Sequence, residues 1–236
     1  MTDNPSPPPS ARQNSGNSKQ AGPSAGKLKA AIVQVTAFEQ NCTLVWGETA
    51  KRGVVVDPGG DLPRIKAAIA QAGIEIDAII LTHGHIDHAG GAAELKADLG
   101  VDIIGPHSAD KFLLDGLAEQ GARFGLAARP VTPDRWLDEG DTVEIAGHPF
   151  SVLHCPGHSP GSVVFFNAAQ RFALVGDVLF SGSIGRTDFP YGDHASLINA
   201  IKTKLLPLGD DVAFVCGHGQ PSTIGRERLS NPFLQG

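Results

Sequence analysis

From Lys27 onward, short runs of aliphatic and β-branched residues alternate with segments of helical periodicity. The runs LKAAIVQV, CTLVW and GVVVDPGG predict three successive strands, the third closed by a turn at Pro58, Gly59 and Gly60. In LPRIKAAIAQAG the apolar residues Leu62, Ile65, Ala68 and Ile69 share one helical face, with Asp61 expected as the N-cap and Gly73 as the stop. DAIILT predicts a buried strand, followed by a histidine-rich loop, a helix in GGAAELKADLG, a strand in VDIIG and a helix over about Ser108 to Gln120. The second half predicts strands in TVEIAG, FSVLHC, SVVFFN and RFALVG, a helix over about Ala195 to Leu206, and a last strand in VAFVC. Two strand-rich halves with their own helices and no fixed-period repeat predict an α/β fold, a four-layer αββα sandwich of two packed sheets under outer helices.

Residues 1–26 break the pattern. They hold Pro, Ser, Asn and Gly almost without aliphatics, so a disordered tail is expected ahead of one domain over residues 27–236. A transit peptide is the rival reading, disfavoured by the scarcity of arginine and the lack of amphipathic order. Over the full chain 41% of residues are hydrophobic and 19% charged, which reads as an ordinary globular protein. The net charge of −6 comes without a lysine or arginine cluster, which argues against nucleic acid as a partner. Cys42, Cys155 and Cys216 form no disulfide framework and fit a reducing compartment, so the cytoplasm is expected. No apolar run approaches the roughly 18–20 residues that a membrane span needs.

The chemistry is concentrated in Leu81-Thr82-His83-Gly84-His85-Ile86-Asp87-His88, directly after a predicted strand. On an extended chain His83 and His85 project to one side, and the next turn can fold Asp87 and His88 back towards them. Imidazole and carboxylate without sulfur suit Zn²⁺, Fe or Mn²⁺ and argue against a purely structural zinc clip. Three further residues stand where strands end in loops: His158, in a rigid Pro- and Gly-flanked turn; Asp177, whose two oxygens can bridge two metals; and His218, in Cys216-Gly217-His218-Gly219. His107, His148, His154 and His194 read as structural or surface residues, although His154 is near enough to His158 to support it. Cys155 and Cys216 read as small buried hydrophobes. Arg186 and Asp188 either contact an anionic substrate or pin their loop to each other.

The order HxHxDH, PGHSPGS, GDVLF and GHG resembles the metallo-β-lactamase superfamily from Lys27 to the carboxyl end. Within it, GDVLFSGSIGRTDFPYGD and TIGRERLSNPFL are similar to the short bacterial proteins of the glyoxalase II (hydroxyacylglutathione hydrolase) branch. The resemblance implies two divalent metal ions, zinc in the first place. His83, His85 and His158 would hold one, Asp87, His88 and His218 the other, and Asp177 would bridge them. Asp87 and Asp177 are the expected catalytic residues, and Asp57 resembles a carboxylate that orients a ligand. The implied partner is a small-molecule thioester, cleaved without a protein nucleophile by a monomer or small homo-oligomer. Longer glyoxalase II enzymes carry an added helical region that supplies much of the glutathione pocket, so a weaker grip on glutathione is expected here. Two rivals remain at this stage: a mononuclear iron persulfide dioxygenase of the same superfamily, using His83, His158 and Asp177, and a non-catalytic metal-binding protein.

Overall fold

The computed structural model describes residues 26–235, so the expected tail lies, but for its last residue, outside the described residues. Strands β1 (Leu28–Val35), β2 (Gln40–Gly47), β3 (Arg52–Val56), β4 (Glu75–Ile80) and β5 (Asp102–Ile104) form one sheet in that order. The pairs β1–β2 and β2–β3 are antiparallel, whereas β3–β4 and β4–β5 are parallel. The parallel steps need crossovers. These are supplied by α1 (Leu62–Ala72) between β3 and β4, and by α2 (Ile86–Ala89) and α3 (Ala92–Leu99) between β4 and β5. Two short helices, α4 (Lys111–Asp115) and α5 (Leu117–Phe124), lead to the second sheet.

That sheet contains β6 (Thr142–Ile145), β7 (His148–His154), β8 (Val163–Asn167) and β9 (Phe172–Gly176) as an antiparallel meander. After a two-stranded ribbon of β10 (Leu179–Phe180) and β11 (Ser183–Ile184), helix α6 (His194–Ala200) crosses over to β12 (Ala213–Cys216), which joins β9 in parallel. Strand β13 (Ser222–Thr223) closes the edge, and α7 (Ile224–Ser230) follows it.

Side-chain alternation along the strands produces the four layers. In β3, Val54 and Val56 enter a core between the sheets with Phe150, Val152 and Phe165, while Val55 faces outward against Ile65 of α1 and Leu95 of α3. In β9, Leu174 faces inward and Ala173 and Val175 pack outward with Leu197 of α6 and Ile224 of α7. The αββα architecture is therefore present as expected.

Three local expectations need correction. Asp61 is not a side-chain cap: it has φ 48° with no capping hydrogen bond, and its carboxylate accepts from the Thr36 N–H at 2.7 Å. The second helical residue is Pro63, which has no N–H for a cap to accept, so the side chain is available to the neighbouring loop. The helix expected over Ser108 to Gln120 starts as a 3-10 turn, is interrupted at Gly116, and runs on to Phe124 until left-handed Gly125 stops it. The helix expected over Ala195 to Leu206 is α-helical only to Ala200 and continues as a π-turn over Ile201–Leu205.

Candidate metal centre

All the predicted ligands lie where strands give way to loops at one end of the two sheets: Asp57 after β3, His83 to His88 after β4, His158 between β7 and β8, Asp177 after β9 and His218 after β12. Parallel neighbours place their carboxyl ends side by side, which brings Asp57 beside the histidine loop and Asp177 beside His218. Hydrogen bonds tie the halves together at this end. The Val163 N–H donates to the Thr82 carbonyl at 2.9 Å, and the Asn41 amide donates to the carbonyls of Cys216 and Gly219 at 3.0 and 2.9 Å.

One atom each of His83, His85 and His158 lie within 4.8 Å of one another, and the same holds for Asp87, His88 and His218. Within the first group His83 Nε2 and His158 Nε2 stand 3.0 and 2.9 Å from His85 Nδ1. Asp177 faces both groups: Oδ1 is 3.3 Å from His88 Nε2, and Oδ2 is 3.5 Å from His158 Nε2 and 3.6 Å from His218 Nε2. Asp87 Oδ2 lies 3.1 Å from His218 Nε2. Asp87 and His88 reach the site from the first turn of α2 rather than from an open loop.

Every one of the five histidines is held at its other nitrogen. His83 Nδ1 donates to Thr82 Oγ1 at 3.0 Å, and that hydroxyl donates to Asp57 at 2.6 Å. His88 Nδ1 donates to Asp57 Oδ2 at 2.9 Å, His158 Nδ1 to the Arg186 carbonyl at 2.9 Å, and His218 Nδ1 to the Phe38 carbonyl at 3.1 Å. His85 is reversed: its Nε2 donates to the Tyr191 hydroxyl at 2.8 Å and its Nδ1 turns inward. Fixing the outer nitrogen fixes the tautomer and aims the inner lone pair, as metal-ligating histidines require. Asp57 can be grouped with His83 and His88 as a ligand in its own right, but its oxygens are taken by the Thr82 N–H, the Thr82 hydroxyl and His88 Nδ1. Those bonds leave it placed to orient His88 directly and His83 through Thr82.

The electrostatics fit a cation. Burial, then the neighbouring histidines, hold the His83 imidazole well below its ordinary pKa, and burial followed by His158 brings His85 down to about 3, so both are neutral donors. Burial is the largest influence on Asp87 and Asp177 and acts to raise them, but the neighbouring histidines together outweigh it, His88 and His218 for both and His158 also for Asp177, and hold both carboxyls below their ordinary values. His88 Nε2 and Asp177 Oδ1 are buried and face each other without a hydrogen bond to any group. Stranding two such atoms costs about 1–3 kcal/mol each, and a cation between the groups removes that cost. The donor set and these orphaned atoms therefore suit a dinuclear metal site.

The match to the family model for the metallo-beta-lactamase superfamily spans residues 35–218, from β1 to the last histidine. The chain belongs to that superfamily. Hydroxyacylglutathione hydrolase GloC of Haemophilus influenzae is 48% identical over 205 residues, covering 86% of this chain and 96% of that protein. Among solved structures, BLEG-1 B3 metallo-beta-lactamase superposes with a TM-score of 0.81 at 33% identity, covering 88% of this chain and all of the other. TTHA1623 in a di-iron-bound form gives 0.78 at 36%, covering 86% and 100%.

In this superfamily member a cavity of about 770 Å³ opens over His85, His158, Asp177 and His218, walled by Phe38, Phe112, Phe124, Phe180, Phe189 and Tyr191. No separate signal in the sequence marks these rings or Asp110. That carboxylate is fully buried and accepts from the Gly84 N–H at 2.8 Å, Ser159 Oγ–H at 2.7 Å and the Gly161 N–H at 2.6 Å. It thereby joins the loop between His83 and His85 to the turn that carries His158. The remaining candidates fall outside the centre. His154 stacks on His107 at 4.1 Å and hydrogen-bonds the Pro160 carbonyl, a turn role. Arg186 forks onto Asp188 at 2.9 and 3.0 Å. Burial pushes the Cys155 and Cys216 thiols up to about 12 and about 11, which suits inert buried hydrophobes.

Proposed function

We propose that the chain is a dinuclear metal-dependent hydrolase of 2-hydroxyacyl thioesters such as S-lactoylglutathione. The observation that carries this reading is the set of five histidines pinned at their outer nitrogens, with the inner nitrogens and both oxygens of Asp177 converging. His83, His85 and His158 would hold the first ion, Asp87, His88 and His218 the second, and Asp177 would bridge them. Zinc is the first choice for such nitrogen and oxygen donors, and iron and manganese also fit. Two bound ions supply Lewis acidity and a nucleophilic water at neutral pH.

The similarity to GloC supports the substrate class, and the di-iron form of TTHA1623 supports two metals. Hydrolysis joins the water oxygen to the acyl carbon and breaks the carbon–sulfur bond, whose electron pair leaves with sulfur. A thiol with a pKa near 8.5 departs as thiolate and is then protonated by solvent, so no dedicated acid is required. The chain's own contribution is to orient the ligands and to exclude water with the aromatic walls of the cavity. Tyr191, pushed up to about 12 by burial and then by Asp110, stays protonated while its oxygen holds His85.

We take residues 27–236 as the hydrolase unit. Three unpaired, buried cysteines support a reducing compartment such as the cytoplasm, and no helix among the described residues is long and apolar enough to cross a membrane. The test is to assay one purified sample for thiol release from S-lactoylglutathione and for oxygen uptake with a persulfide. Thiol release without oxygen uptake is expected. Oxygen uptake without hydrolysis would replace this reading with the mononuclear iron dioxygenase.

A further inference from the structure

Large apolar side chains left in water are concentrated at the mouth of the metal centre. Among the described residues Ile32, Phe38, Phe112, Phe124, Leu229 and Phe233 are the exposed large hydrophobics, and three of the six, Phe38, Phe112 and Phe124, line the one cavity over the histidines. Scattered exposed apolar residues are normal, but a cluster within a concave site marks a surface that a ligand covers.

The rings form a continuous path outward from the metal centre. Phe189 stands 4.9 Å from His85 between centroids and stacks on Tyr191 at 5.4 Å, and Tyr191 meets Phe112 edge-on at 5.3 Å. Phe124 and Phe38 add a second edge-on pair at 5.2 Å. The charged side chains of the cavity do not offer a matching anion site. Arg123 is paired with Glu119 one helical turn away at 2.5 Å, and Arg186 is forked onto Asp188 while its guanidinium lies over the Phe189 ring at 4.8 Å. At either arginine the acidic partner already offsets the charge that an incoming carboxylate would meet. A neutral ring would displace only water.

We propose that this aromatic wall is a subsite for an uncharged, ring-bearing part of the substrate, so that the enzyme prefers thioesters carrying an aryl group to S-lactoylglutathione itself. The inference rests on the thioester-hydrolase reading for its reaction but not for its binding. Phe112 and Phe124 are the specificity-determining residues, because they are the most exposed members of the wall, at 49% and 58%, and each meets another wall ring rather than a histidine.

The experiment has a binding arm and a kinetic arm, both on the metal-loaded full chain. S-benzylglutathione and S-methylglutathione are thioethers that cannot be hydrolysed, and calorimetry should show the benzyl compound binding about tenfold or more tightly, as burial of one ring predicts. S-mandeloylglutathione should exceed S-lactoylglutathione in kcat/KM by a similar factor. Both compounds carry the ring on the acyl side of the sulfur, so the two gains should appear together. A gain in binding alone would overturn the stated substrate preference, and a gain in kcat/KM alone would overturn its assignment to binding by the aromatic wall. A gain in neither, including failure of both thioethers to bind, overturns the proposal. In the double variant Phe112→Ala, Phe124→Ala the aryl preference should fall to near one, and a preference that persists would overturn the assignment to these residues. If no thioester is hydrolysed at all, the proposed function fails, while the benzyl-to-methyl comparison still decides the subsite.

Discussion

Asp110→Asn isolates the tie between the two loops of the first metal group without touching a ligand. In the parent, Asp110 Oδ2 accepts from Gly84 and Ser159 and Oδ1 accepts from Gly161. An asparagine can keep the first two contacts with its one oxygen, but its NH₂ then faces the Gly161 N–H, donor against donor. Losing a hydrogen bond to a charged acceptor removes about 1.5–3 kcal/mol, and the stranded amide adds about 1–3 kcal/mol. Part is returned, because burial raises the Asp110 pKa against its three donors and a neutral amide escapes that penalty. A net loss of about 3 kcal/mol remains, which at roughly 2–4 °C per kcal/mol for a domain of this size lowers Tm by about 6–12 °C. Calorimetric melting should show this in metal-free and metal-loaded protein alike, together with a lower metal affinity. A variant that melts within about 1 °C of the parent would refute the reasoning, since it would mean that the loops hold each other without the carboxylate.

Gly217→Ala should cost at least about 100-fold in turnover, because the added Cβ would sit 2.0 Å from Asp177 Oδ1 and 2.5 Å from His88 Cε1 and force a ligand to move by about 1 Å; parent-like metal content and kcat/KM would contradict it. Tyr191→Phe removes the acceptor for His85 Nε2 and should weaken metal binding about 10–100-fold, read by chelator competition. An unchanged dissociation constant would show that the hydroxyl does not orient the ligand. Deleting residues 1–26 should leave Tm and turnover unchanged, since their composition offers almost nothing for a core; a large fall in either would make the segment part of the domain.

The longer strands along the chain, and the convergence of the seven candidate residues at one end of the sheets, were legible because both depend on local signals. Aliphatic runs mark strands, and a polar residue that ends such a run stands at the edge of a sheet, where ligands of a parallel pair meet. His83 to His88 carried the strongest signal, whereas Asp57, the polar end of VVVD, stood out only through the family resemblance. The parts that escaped depend on partners far along the chain. Asp110 sits in an unremarkable stretch and finds its partners 26, 49 and 51 residues away. Tyr191 meets His85 across 106 residues, so its sequence neighbours give no reason to single it out. Asp61 misled because its residue type suits a cap, whereas Pro63 and the nearby Thr36 N–H redirect its carboxylate. The interruption at Gly116 and the π-turn after Ala200 arise in segments whose apolar spacing alone suggests unbroken helices.

The central claim is a centre of two metals that hydrolyses a thioester. Metal-free protein should be titrated with zinc, and in parallel with iron and manganese, while the initial rate of S-lactoylglutathione hydrolysis is recorded at each addition. The rate should rise until two equivalents per chain are bound and then level. Full activity at one equivalent, with a second ion adding nothing, would contradict the dinuclear assignment of Asp87, His88 and His218, and no hydrolysis with any metal would contradict the proposed reaction.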